Sequence, residues 1–107
     1  MRVLKFIVDG QSIRQDPSCD FSGLVPGTEG YLKLQFSFSK EWNGATKVVG
    51  FYSKLGKEYS PQVLKNGTTC MIPAEATKNR VFKICVIGKG HDSILRTNKI
   101  AIEQKGG

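Results

Sequence analysis

Apolar and polar residues alternate from Tyr31 to Phe38, YLKLQFSF, with Leu32, Leu34, Phe36 and Phe38 on one side and Tyr31, Lys33, Gln35 and Ser37 on the other. A period of two marks a strand with one buried and one wet face. Residues 2–8, RVLKFIV, lead through Asp9-Gly10 into Gln11-Ser12-Ile13. Asp-Gly supplies the positive φ values of a two-residue turn, so this reads as a hairpin. Residues 46–53 set Val49 and Phe51 against Val48 and Tyr52, and residues 80–87, RVFKICVI, are dense in β-branched and aromatic side chains. Glu58 to Leu64 reads as an edge strand or a break at Pro61. Asn66-Gly67 closes a second hairpin into residues 68–72, and residues 93–103 form a last strand around Ile94, Ile100 and Ile102.

The connecting segments are equally legible. Residues 14–30, with Asp16-Pro17 and Pro26-Gly27, predict a long surface connection pinned by Phe21, Leu24 and Val25. Pro73 to Lys78 supports one short helical turn with proline at its start. The pattern predicts an all-β protein: a single immunoglobulin-like β-sandwich of about seven or eight short antiparallel strands. The domain is expected over residues 1–104, with a flexible C-terminal tail at 105–107.

The only tryptophan, Trp42, sits in the turn-like stretch SKEWNG between two of these strands. Its ring is expected to fold over the open end of the core, with the indole N–H on a loop carbonyl or water. The alternative is an exposed aromatic that stacks on a sugar or base. It requires Trp42 with Tyr31, Tyr52 or Tyr59 on one accessible face.

A chain of 107 residues fits one domain, and 39% hydrophobic content suits a globular fold. The opening MRVLKFIVDG carries Arg2, Lys5 and Asp9 and does not read as a signal peptide, and no stretch approaches a membrane span. Cys19, Cys70 and Cys85 are widely spaced and odd in number, which predicts reduced thiols made in a cytoplasm, two of them buried on strands. The formal charge is +7; residues 1–30 carry three basic and four acidic side chains (−1) and residues 31–107 thirteen and five (+8). The lysines are scattered singly, as on the solvent side of strands. A basic surface of this kind also attracts nucleic acid, anionic glycans or an acidic protein.

Residues for chemistry are few. His91 is the sole histidine and lies in a Gly-rich turn without an evident orienting acid. Asp9, Asp16 and Asp20 have turn-capping explanations rather than the spacing of a calcium loop. Gly88-Lys89-Gly90 lacks the spacing and following helix of a phosphate loop, and Asn66-Gly67-Thr68 is explained as a turn. The terminal Gly106-Gly107 resembles the conjugation tail of ubiquitin-like modifiers, but residues 14–30 cannot form the helix that fold needs. No catalytic, cofactor-binding or metal-ligating residues are expected.

The ordered set Ser39-Lys40-Glu41-Trp42-Asn43-Gly44, Lys47 to Phe51, Tyr59, Asn66-Gly67, Cys70 to Ala76, Phe82 to Gly88 and Thr97 to Ile100 resembles small modules of tailed-bacteriophage virions. The likeness runs from about Tyr31 to Ile102 and is to the N-terminal β-sandwich domains of baseplate upper proteins and to head-fibre or decoration proteins. It implies a non-enzymatic structural protein, incorporated in a phage or prophage virion, that docks onto other virion proteins and forms homo-oligomers. Longer members continue into fibre or receptor-binding segments, so the chain reads either as a small decoration protein or as an anchoring domain. The candidate docking loop is Phe21, Leu24 and Val25. The alternative is a basic β-sandwich binding module for carbohydrate, such as a host cell-surface glycan, or for an anionic ligand such as nucleic acid. Its candidate contacts are Tyr31, Trp42, Tyr52, Tyr59 and Lys47. Neither reading involves membrane insertion.

Overall fold

In the computed structural model, which describes residues 1–106, the alternating run becomes strand β3 (Leu32–Phe38) at the interior of a four-stranded sheet. The other strands of this first sheet are β1 (Arg2–Asp9), β2 (Ser12–Gln15) and β6 (Thr69–Met71), in the order β2-β1-β3-β6. The second sheet holds β4 (Thr46–Ser53), β5 (Gln62–Val63), β7 (Val81–Lys89), β8 (Ile94–Arg96) and β9 (Ile100–Glu103). It runs β5-β4-β7-β8, with β9 also paired to β7. One helical turn, α1 (Ala74–Thr77), follows Pro73. The described residues form an all-β sandwich of nine strands.

Two sheets packed face to face need apolar residues on their facing sides, and alternation supplies them. Leu4, Phe6 and Val8 of β1 and Leu34 and Phe36 of β3 meet Val49 and Phe51 of β4 and Phe82, Ile84 and Val86 of β7 in one buried cluster. Rings run through it from end to end. Phe21 meets Phe6 edge-on at 5.2 Å, Phe6 stacks on Phe36 at 5.6 Å, and Phe38 links Phe36 (5.9 Å) to Trp42 (5.3 Å). Each fully buried Phe of this row contributes roughly 1.5–3 kcal/mol by leaving water.

Three expectations are corrected. The strands are not all antiparallel: β1 and β3 run parallel, in register from Arg2↔Leu32 to Val8↔Phe38. The β1–β2 hairpin turns the chain back toward the start of β1, and residues 16–31 then cross that end of the sheet to lay β3 on the far side of β1. This crossing explains the length of the connection. Next, Asn66-Gly67 closes only a one-bridge hairpin, Lys65 pairing antiparallel with Thr69, and its two arms then diverge. Both residues take positive φ (53° and 70°), but β5 pairs with β4 and β6 with β3, so the turn carries the chain between sheets. Last, residues 93–103 form two strands. The β7 register passes from Ile87↔Arg96 to Ile84↔Ile100, so Thr97–Lys99 faces only Cys85 and Val86, a bulge of one residue.

The bulge ties the sandwich together. Asn98 Oδ1 accepts the Ile13 N–H at 3.1 Å and the Asn98 N–H donates to Gln11 O at 3.1 Å, covering the free edge of β2.

Candidate functional site

A strand with one dry face alternates, whereas β4 and β7 are apolar on both. Their inward residues fill the core. Outward, β4 presents Thr46, Val48, Gly50 and Tyr52, opposite Lys89, Ile87, Cys85 and Lys83 of β7. The rows continue onto β5 with Val63 beside Val48, and onto β8 with Arg96 beside Ile87 and Ile94 beside Lys89. Val63 and Ile94 are 63% and 64% exposed, and Val48, Tyr52 and Ile87 are half-buried. Four strands about 4.8 Å apart make the row Val63–Val48–Ile87–Arg96 roughly 14 Å wide. A shallow hollow in this face is lined by Val48, Gly50, Tyr52, Pro61, Ile87 and Ile94, among others. The outer face of the first sheet differs. It mixes Val3, Ile7 and Met71 with Lys5, Arg14, Lys33, Gln35 and Ser37, so that polar side chains outnumber apolar ones.

At the centre of the apolar face Tyr52 lies down along its own strand. A Cβ on Gly50 would fall 2.8 Å from the Tyr52 hydroxyl, so the phenol occupies the space that glycine leaves. Cys85, the cross-strand neighbour of Gly50, is buried beneath it and its Sγ is 3.7 Å from the hydroxyl. Lys99, projected by the bulge, places its ammonium 3.9 Å from the centroid of the ring. Burial first, and then contact with the Cys85 thiol, pushes the Tyr52 phenol up to about 12, so it stays protonated through the physiological range. The charged neighbours are Lys83, Lys89, Arg96 and Lys99 against Glu58, which bridges to Tyr52 across the strands.

The structure disperses the residues expected to form a site. Trp42 is fully buried, with its indole N–H donating to Gly10 O at 2.8 Å, and is therefore not a surface contact. Tyr59 packs against the core and accepts a hydrogen bond from Asn79 at 3.0 Å. Tyr31 is exposed at the start of β3, in the other sheet from Tyr52. Lys47 lies over Phe38, its Nζ 5.1 Å from the ring centroid, and donates to Ala45 O. Of the expected docking loop, Phe21 packs on Phe6 and Leu24 is buried, because both close the end of the core that the crossing connection covers; Val25 alone stays exposed.

The outer members Val63, Ile87 and Ile94 were not singled out by motif. Ile87, with Val48 and Tyr52, has its signal in the near-continuous apolar runs of 46–53 and 80–87, which exceed what one buried face requires, whereas Val63 and Ile94 lie outside those runs and join the face only through strand pairing.

Elsewhere, Asp16 and Asp20 accept hydrogen bonds from Ser18 and Ser22, which hold their carboxyls below the usual range and cap turns of the connection. The Gly106 N–H donates to Leu24 O at 2.8 Å, so the backbone is still fastened one residue before the end; Gly107 lies outside the described residues. Cys19, Cys70 and Cys85 are free thiols, the last two buried. Among the described residues no helix is long and apolar enough to cross a membrane. No protein-family model, curated protein or solved structure matches the chain.

Proposed function

We propose that this chain is a non-enzymatic structural module that docks onto other proteins through the outer face of its second sheet, and that its setting is the particle of a tailed bacteriophage or prophage. The observation that carries the docking reading is a sheet with apolar side chains on both sides, one set buried in the core and the other, Val48, Tyr52, Val63, Ile87 and Ile94, turned outward. Contiguous apolar surface of this kind marks an interaction site rather than a solvated face. The particle setting rests on the likeness of residues 31–102 to baseplate and head-fibre modules, and a closed sandwich with docking surface suits a component held in an assembly.

The test is to purify phage particles from the source bacterium on a density gradient and measure the chain by mass spectrometry against the major capsid and tail proteins. Co-migration at a fixed copy ratio supports the proposal. A chain found only in the soluble fraction overturns the particle setting.

A further inference from the structure

The charges on the docking face say what kind of surface covers it. Lys83, Lys89 and Arg96 stand on the same side of the sheet as the apolar rows, and Lys99 reaches over from the bulge. The acids at this side are Glu58, Asp92 of the β7–β8 turn, which lines a hollow with Lys89 and Ile94, and, at the far end of β9, Glu103, which is already paired with Lys105 at 2.7 Å. The face is thus an apolar centre bordered by four cations, against which stand Glu58 and, at the β7–β8 turn, Asp92, neither of them in an ion pair among the described residues.

We infer that its partner is a different protein whose contacting surface is apolar at the centre and acidic at the rim; the inference rests on the docking reading above. A second copy fits poorly. A two-fold contact would set Lys83, Lys89, Arg96 and Lys99 of one copy against the same cations of the other, and like charges brought together at an interface suppress pairing. Nucleic acid fits poorly too. The one aromatic ring of this face, Tyr52, rests on Gly50 and carries the Lys99 ammonium, which leaves no open ring for a base, and the rows beside it are aliphatic. A carboxylate-bordered protein surface satisfies both features: its apolar centre covers Val48, Ile87 and Ile94, and its acids meet the four cations.

Carbodiimide joins an amine to a carboxylate only where the two touch, and so reads this contact directly. The tagged full-length chain is produced in the source bacterium, treated with carbodiimide, purified under denaturing conditions, and its linked peptides are mapped. The expected result is Lys83, Lys89 or Lys99 joined to Asp or Glu of one other protein, with the link lost in Val48→Asp. Because Val48→Asp also tests folding, the doubly charge-reversed Lys89→Glu/Arg96→Glu is made as well. Both positions are exposed, and its circular dichroism should match the parent while the link disappears. Links at these lysines only between copies of this chain, with a dimer in sedimentation, would establish self-association and overturn the inference. Loss of the link on nuclease treatment would overturn it in favour of nucleic acid, and so would links confined to other lysines in favour of another face. A link to a protein absent from phage particles removes the particle setting alone. A chain that travels with particles but stays unlinked at these lysines removes the acidic partner alone.

Discussion

The Trp42 indole lies against Gly88 so closely that a methyl group on Gly88 would fall 2.7 Å from the ring carbon Cζ3 and 2.8 Å from Cε3. Gly88 sits in an extended strand where any residue can adopt the backbone, so the need for glycine is one of space. The ring cannot move away, because its N–H is fixed on Gly10 O and its other neighbour is Phe38. Trp42 and Gly88 therefore close one end of the core together, as Phe21 and Leu24 close the other.

Gly88→Ala should destabilise the protein by about 1–3 kcal/mol through overpacking. Urea denaturation followed by tryptophan fluorescence reads both the stability and the displaced ring. An unchanged midpoint would mean that the ring has room the structure does not give it. Trp42→Ala should cost more, roughly 3–5 kcal/mol, because it empties the site.

Much of this was legible in the sequence, for reasons that also explain what was not. The run around Leu34 became a strand because alternation reports burial directly, and those around Phe51 and Ile84 because they are dense in β-branched and aromatic side chains. Trp42 among turn residues implied a plug. Pairing is different, since it depends on where a connection goes. Nothing in residues 14–30 says that they cross the end of β1, and the parallel β1–β3 pair follows only from that crossing. The bulge at Thr97–Lys99 is likewise a matter of register, set when Val86 uses the Thr97 hydroxyl and backbone as partners. The outward face was visible only as excess apolar content, which one-face pattern reading assigns to the core.

Gly50 offers a contrast with Gly88. The atoms nearest a Cβ there all belong to the half-buried Tyr52 ring, the far end of a side chain that can rotate away. Gly50→Ala should therefore change stability by less than about 1 kcal/mol. It should also lift the phenol from Cys85 and raise the rate at which that thiol reacts with a water-soluble disulfide reagent, measured in a Cys19→Ser background. A thiol that stays as protected as in the parent would show that Tyr52 is not its cover.

Gln104 is a buried polar side chain that fastens β9 to the turn after α1. Its amide donates to Thr77 O at 2.9 Å and to Asn79 O at 2.7 Å. Gln104→Met keeps the volume and removes the donors. Thr77 O retains the Gly27 N–H at 2.7 Å, so the main loss falls on Asn79 O and should be roughly 1–3 kcal/mol. Gln104→Glu should be worse at neutral pH, because a buried carboxylate would face two carbonyl oxygens. Its folded-state pKa must then be raised, so the deficit relative to Met should shrink as pH falls and the acid takes up a proton. Equal stability of the two variants at pH 7 would contradict this geometry.

Alkaline pH provides the remaining test, through Cys70. The thiol faces the core on β6, and burial pushes it from its ordinary value of 9.0 up to about 12. In the unfolded chain the same thiol ionises near its ordinary value, so between pH 9 and about 12 the unfolded state binds fewer protons than the folded one. The stability contributed by the neutral buried thiol is fully present below pH 9 and is lost as pH rises toward 12. The slope from this group approaches about 1.4 kcal/mol per pH unit once the unfolded thiol is ionised. Tyr52, raised in the same direction from 10.0, adds to the decline only above pH 10. Urea midpoints at half-unit steps from pH 7 to 11 should therefore fall from about pH 9 in the parent. Cys70→Ala should begin less stable, because it leaves a cavity, yet hold its midpoint until Tyr52 titrates. The onset of the fall thus assigns it: a parent and variant that decline together from pH 9 would place the ionising group elsewhere than the Cys70 thiol.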